Sequence, residues 1–472
     1  MCPRTRPEYS PNTLIARRGD GVQSVRKANA VRITTFGNVD PWSQAQLRTC
    51  LAAAEAREGA ELSGVLCADH HPGYSQPIGG VVAFRHHVSP SGVGYDIGCG
   101  NLAVKTNIRI ETLTPDVPRV MDEVWARVSF GMGRKNPERV DHPVLDDIAK
   151  SPVSGQRSLA RIARNQLGTV GGGNHYVDLF SDEDGWVWIG VHFGSRGFGH
   201  RTCTGFLALA QHRAWDDKVP SGGMDAPPVL IDTRTELGID YVAAMEIAGR
   251  YAYAGREWVV ERVARILGAT LTDTVHNHHN FAWRERHEGE DFWVVRKGAT
   301  PAFPGQRGFV GGSMGEISVV LEGQESPMSA RSLYSTVHGA GRVMSRTEAA
   351  GRVKQRTRWA CTRRDCDGFL PIQTSRGTDG ANPRCPTCGG KTQKHRTREV
   401  VKAGKIDWPS VQAGVRARGV ELRGAGADEA PDVYKRLPEV LAAHGDTIRV
   451  LHTLQPVGVA MAGIDEFDPY KD

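Results

Sequence analysis

The sequence predicts an α+β protein carrying a small four-cysteine module inserted toward its C-terminal end. Helical and strand-like patterns do not alternate regularly along the chain, which argues against a doubly wound sheet. Two cysteine pairs stand close together between positions 361 and 388, in a segment otherwise polar and rich in glycine and proline. Glycine accounts for 55 of 472 residues without a collagen-like period, against a usual level of roughly 7%. So many glycines predict loops in which backbone approaches a ligand.

Taken in order, residues 1–28 are polar, Pro- and Arg-rich, and read as an N-terminal arm. Apolar residues at three- or four-residue spacing predict helices near 43–58, 116–128 and 155–166. The clearest helical pattern covers 240–267, where Tyr241, Met245, Ala248, Ala252, Val259, Val263 and Leu267 share one face. Strand-like runs lie at 77–84, 101–106, 186–193, 290–296 and 447–460. The basic stretch 355–400 shows no periodicity and reads as an insertion dividing one main domain into 29–354 and 401–472. No internal repeat is visible.

With 39% hydrophobic and 24% charged residues the composition is that of a globular protein. No run of apolar residues is long enough to span a membrane, and the basic start MCPRTRPEYS has no apolar segment behind it. The nine cysteines are odd in number and scattered, unlike a disulfide framework, so the expected location is the cytoplasm. The net charge of +6 is unevenly distributed: residues 342–405 hold 16 Lys/Arg against 5 Asp/Glu, and the rest of the chain is net acidic. Arginine (46) far exceeds lysine (13). Codon bias accounts for much of that ratio, but the clustering points to a polyanionic partner.

Cys361 and Cys366, followed by Cys385 and Cys388, have the spacing of a zinc ribbon or knuckle. Four thiolates close a tetrahedral shell, which makes the expected zinc structural rather than catalytic. Arg356, Arg358, Arg363, Arg364, Lys391, Lys394 and Arg396 flank it, suiting contact with nucleic acid, a solvated charge run being the alternative.

Outside the insertion, chemistry-bearing residues recur in glycine-rich phrases: Asp69–Tyr74 (DHHPGY), Gly92–Gly100 (GVGYDIGCG), Gly171–His175 (GGGNH), His192–Gly197, His276–Asn280, Gly311–Gly315 and His338–Arg342. Any one histidine here reads most simply as a buried core residue. The set reads as a site where imidazoles bind metal and backbone N–H groups face a ligand. Asp, Cys and His together suit a borderline divalent ion such as Mn, Fe, Co or Zn. Asp96 and Cys99, three apart in a glycine turn, can face one centre, and a thiolate can bridge two ions. Paired ions serve phosphoryl and nucleotidyl transfer.

PIGG, GVGYDIGCG, QLGTVGGGNH, GSRGFGH, HHNFA, RKGATPA, GSMG, SxxxHGAGRxxSR and DEAPDVYK occur in one order across nearly the whole chain. In these nine phrases the sequence resembles the RtcB-type RNA ligases, the tRNA-splicing ligases. The resemblance implies that family's α+β fold, two Mn ions, and GTP as cofactor. It also implies joining of RNA with a 3′-phosphate or 2′,3′-cyclic phosphate to RNA with a 5′-hydroxyl, with an archease-type activator as a possible partner. By motif position, Cys99 would bridge both metals, Asp96 and His175 would complete one site, and His192 and His279 the other. His279 is chosen over His276 and His278 because it begins the HN-aromatic-Ala phrase. His338 would be the nucleophile that takes GMP from GTP. Asn174, His175, Asp178, Asn280, Gly311, Gly312, Ser313, Met314, Ser318, Gly339, Ala340, Gly341, Tyr434 and Met461 would hold the nucleotide. Arg196 and Arg342 would meet RNA phosphates, with structural ion pairs as the competing role.

Three departures from the family pattern stand out. Met461 occupies the place of a nucleotide-contacting lysine, Asp178 that of a glutamate, and Gly311 that of a proline. The loss of a charged donor at Met461 motivates a second expectation, a 3′-end guanylyltransferase that seals poorly. A non-catalytic RNA-binding relative and a metal-dependent phosphoesterase are further alternatives. The intact ligand set argues against the former, and His338 against the latter.

Overall fold

The computed structural model describes residues 32–463 except 220, 221, 364 and 379; the expected N-terminal arm lies outside the described residues. Two sheets carry the architecture. In the larger, strands run in the order Arg307–Val310, Ser318–Gly323, Ile448–Gly463, Tyr176–Ser181, Trp186–Phe193, Gly100–Arg109 and Leu271–His278, with Glu421–Ala425 alongside Ile448–Gly463. Every pairing is antiparallel except that of Glu421–Ala425. The smaller sheet orders Arg32–Thr35, Ser63–His71, Ile78–Phe84, Glu290–Lys297 and Asn280–His287. This is the expected α+β class, with little alternation of helix and strand.

The long helix Glu236–Leu267 matches the run of apolar spacing. Thr235 caps its start by accepting from the Gly238 N–H, and Gly268 closes it in the left-handed region at φ 67°. Tyr241, Met245, Ala248, Val259 and Val263 are fully buried on it. Helices Pro41–Glu58 and Val117–Arg127 fall where the spacing predicts them, and the 155–166 pattern divides into Ser154–Arg157 and Ala160–Gln166. The helix Glu236–Leu267 also carries a charge into the core. Arg256 is fully buried and donates to the carbonyls of Gly98 (2.9 Å) and Phe193 (2.6 Å) and to Nε2 of His276 (2.9 Å).

The basic insertion is a β-ribbon. Gly351–Cys361 pairs with Thr392–Ala403 along its whole length, and Phe369–Pro371 adds a short third strand. Its sequence hid this because polar residues occupy both faces, leaving no apolar alternation. No helix among the described residues is long and apolar enough to cross a membrane.

Candidate metal and nucleotide site

A cavity of about 1180 Å³ opens where the two sheets meet, and nearly all the glycine-rich phrases converge on it. Its centre is Cys99, at the start of strand Gly100–Arg109, whose Sγ lies 3.3 Å from His192 Nε2 and 3.7 Å from His175 Nε2. The three ligand atoms lie within 4.8 Å of one another. His175 Nε2 is also 3.1 Å from the Asp96 carboxylate. Across the centre the His279 ring packs against His192 (centroids 5.1 Å) and His338 (4.8 Å). Cys99 thus stands between an Asp96–His175 side and a His192–His279 side.

The neighbouring imidazoles face elsewhere. His276 accepts from Arg256, and His278 Nδ1 sits 2.9 Å from the Gly98 carbonyl. Their strand also supports the site: Asn277 Oδ1 accepts from the Phe309 N–H. Small residues make the packing possible. A Cβ at Gly194 would come within 2.4 Å of the Asp96 carboxylate, and one at Gly171 within 2.1 Å of the His175 ring.

Electrostatics favour cation binding. Burial lowers the pKa of His175, His192 and His279, so these imidazoles are neutral and offer lone pairs. Burial raises Asp96, but its hydrogen bond with His175 and the nearby Arg196 charge outweigh that and hold the carboxyl at about 2. Burial, with Asp96 nearby, pushes the Cys99 thiol well up, so only a cation can displace its proton. Buried His279 Nδ1, Asp178 Oδ1, Tyr176 Oη and Ser313 Oγ have no hydrogen-bond partner in the protein, and all four residues line the cavity. Buried polar atoms are seldom left orphaned. These are placed for a ligand, and the mixed Asp/Cys/His set fits borderline divalent ions.

His338 sits on the loop between strand Ser335–Val337 and helix Arg346–Ala350. Asp69, fully buried, accepts from its ring Nδ1 (2.6 Å) and from its backbone N–H (3.0 Å). A carboxylate only accepts, so Nδ1 carries the proton and Nε2 keeps its lone pair. Burial raises Asp69, but the two hydrogen bonds from His338 bring it below the ordinary carboxylate range. Asn101 Nδ2 donates to the His338 carbonyl (3.3 Å), and Gly339 bridges to Gly311. Gly341 has φ +79°, and a Cβ there would lie 2.0 Å from the Asp69 carbonyl. Lys435 Nζ ties down the same strand through the carbonyls of Ala68 and His70.

The expected nucleotide residues line the adjoining wall: Asn174, Asp178, Asn280, Gly311, Gly312, Ser313, Met314, Gly339, Ala340, Gly341, Tyr434 and Met461. Ser318 stands behind that wall, its hydroxyl accepting from the Gly312 N–H (3.0 Å). Burial pushes the Asp178 carboxyl well up. Met461 is buried opposite Tyr176 in the sheet. The two expected phosphate arginines line the cavity but are held by the protein. Arg196 donates to Gly131 O (3.3 Å) and lies 3.4 Å from His175 Nδ1. Arg342 pairs with Glu429 and stacks over Tyr434. Asp69, Asn101, Arg256 and Glu429 were not singled out from the sequence as site residues. Asp69, heading a His- and Gly-bearing phrase, and Glu429, inside DEAPDVYK, left a signal; Asn101 and Arg256 did not.

In the ribbon, Cys361 and Cys388 Sγ are 3.5 Å apart, Cys366 and Cys385 3.7 Å, and all four lie within 4.8 Å. A tetrahedron of thiolates about 2.3 Å from a zinc ion has edges of about 3.8 Å. Backbone N–H groups of Cys388 and Thr387 pull the Cys385 thiol down to about 6.

Fold and site together define a protein with a buried Cys/His cluster able to hold a metal ion, beside a histidine in a glycine loop. A family model described as tRNA-splicing ligase RtcB matches residues 56–156 and 148–366, and the chain belongs to the RtcB family. It is 30% identical over 371 residues to the tRNA-splicing ligase RtcB of Archaeoglobus fulgidus, covering 63% of this chain and 76% of that one. It is 32% identical to the RNA-splicing ligase RtcB of Escherichia coli (60% and 74% covered) and 32% identical to the tRNA-splicing ligase RtcB of Thermococcus kodakarensis (60% and 73%).

Proposed function

We propose that the protein is an RNA ligase that uses GTP and two Mn ions to join a 3′-phosphate or 2′,3′-cyclic phosphate end to a 5′-hydroxyl end. The observation that carries this reading is His338, its Nδ1 locked on Asp69, in the same cavity as Cys99, His175, His192 and His279. Asp96, Cys99 and His175 would hold one ion, Cys99, His192 and His279 the other, and the pair would neutralise phosphate charge and orient the phosphates. His338 Nε2 attacks the GTP α-phosphorus, forming a P–N bond as the bond to pyrophosphate breaks; its Nδ1 proton stays on the Asp69 hydrogen bond. GMP then passes to the RNA 3′-phosphate as the P–N bond breaks, a cyclic phosphate first being opened by water to a 3′-phosphate, and the 5′-hydroxyl displaces GMP to form the phosphodiester. Gly339 to Gly341 let backbone N–H groups approach phosphate, and orphaned Asp178 and Ser313 offer hydrogen bonds to the nucleotide.

The four-cysteine cluster holds a structural zinc in this account, and the site of action is the cytoplasm. Incubating RNA halves bearing 3′-phosphate and 5′-hydroxyl ends with GTP and Mn tests the reading. Wild type is expected to join them and His338→Ala to join none; equal joining by both overturns it. Apolar Met461 in the cavity wall favours one second reading, a 3′-end guanylyltransferase. That enzyme would accumulate GMP-capped RNA in place of joined product.

A further inference from the structure

The basic ribbon has two unlike faces. On one, Trp359 is 3% exposed, donates its indole N–H to the Thr374 carbonyl (3.2 Å) and lies under Lys394 (5.4 Å) and Arg376 (5.6 Å), so the loop after Phe369–Pro371 covers it. On the other, Arg352, Lys354, Arg356 and Arg358 follow one another at every second position, the spacing that puts strand side chains on one side. The register brings His395 opposite Arg358 and, past a bulge, Lys402 opposite Arg352. Phe369, paired with Ala360, shares this face, is 52% exposed, and lies 4.5 Å under the Arg358 guanidinium. The two long strands contain one acid, Glu399, which the register sets opposite Lys354, while Thr397 stands opposite Arg356. The face therefore combines a row of cations with an exposed aromatic ring, the pairing that follows a phosphate backbone and stacks an unpaired base.

Its placement ties it to the cavity. The ribbon leaves from helix Arg346–Ala350, whose Arg346 lines the cavity and pairs with Glu429 at 3.5 Å. Eleven residues of strand, Gly351–Cys361, extend from there, a reach of roughly 35 Å at strand rise. The family match ends at residue 366, within the ribbon.

We infer that this face is a second RNA-binding surface, which holds the single-stranded RNA leading away from the end in the cavity. The inference rests on the RNA-ligase reading for the identity of the polyanion. It reads backbone and stacking surface, not sequence.

The test is fluorescence anisotropy with the full chain, titrating labelled single-stranded RNA across a series of salt concentrations. One RNA is long enough to lie along the ribbon, and the other fills only the cavity. Replacing Arg352, Lys354, Arg356 and Lys402 by Ser is expected to weaken long-RNA binding roughly tenfold or more. The same change lowers the salt slope by about 2.8, four contacts at about 0.7 each. Binding of the short RNA is expected to stay the same. A charge-keeping variant with Arg352→Lys, Arg356→Lys and Arg358→Lys is expected to retain the slope. Wild-type affinity and slope in the Ser variant overturn the inference and turn the face toward an acidic protein partner. The readout needs no turnover. A ribbon-dependent slope in a protein that joins no RNA therefore sustains the surface while refuting the ligase reading.

Discussion

Asp69→Asn removes one charge from a fully buried side chain and leaves its shape nearly unchanged. In the native protein that carboxylate accepts two hydrogen bonds from His338, 2.6 Å from the ring and 3.0 Å from the backbone. The ring bond fixes the tautomer and would stabilise the cation that develops on His338 as Nε2 attacks phosphorus. Hydrogen bonds to charged groups contribute about 1.5–3 kcal/mol, which corresponds to a roughly 10- to 150-fold slower transfer at about 1.36 kcal/mol per tenfold. Asp69 is not among the proposed metal ligands and its hydrogen bonds go to His338, so metal content is expected to remain as in wild type. The assay is single-turnover formation of the GMP adduct at saturating GTP, followed over pH. A slowed step with unchanged GTP affinity agrees with a positioning role. A rate within twofold of wild type would refute the claim that Asp69 orients the nucleophile.

Asp178 has its pKa raised by burial, so the folded protein binds a proton there that the unfolded chain releases above the ordinary aspartate range. Stability is therefore lost as pH rises from that range, and Asp178→Asn is expected to melt higher than wild type at pH 7 without nucleotide, while losing nucleotide affinity by calorimetry. Glu285 is held below the usual glutamate range because Arg296 and His287 outweigh its burial, so its contribution is present above that range and fades as pH falls through the lowered value. Glu285→Gln leaves Arg296 buried and unpaired, and is expected to cost about 3 kcal/mol in urea unfolding at pH 7 and to flatten the acid side of the profile. In the ribbon, Cys385→Ser is expected to remove one equivalent of zinc by elemental analysis and leave the main melting transition in place. Retained zinc would contradict a four-thiolate site.

The elements that position the site were legible where hydrophobic periodicity was strong. Helix Glu236–Leu267 and strands Ile78–Phe84, Trp186–Phe193 and Glu290–Lys297 fall on the runs that predicted them. The ribbon strands were not legible, because their outward residues are charged and their packed face is short. Glycine-rich phrases marked Cys99, His175, His192 and His338 as candidates for a metal and ligand site, and the family resemblance supplied their separate roles. Asp69 and Arg256 went unassigned because an acid or an arginine looks like surface until the fold buries it. The arginine roles show the same limit. Position placed Arg196 and Arg342 beside active residues, and only three dimensions show them engaged with His175 and Glu429.

The central claim is that His338 is a nucleophile toward a nucleotide, and intact mass spectrometry tests it most directly. Wild type and His338→Ala are incubated with GTP and Mn, desalted and weighed before and after acid. The account predicts an acid-labile GMP adduct on wild type alone. An adduct of equal yield on His338→Ala, or metal-loaded wild type that never gains one, would contradict it.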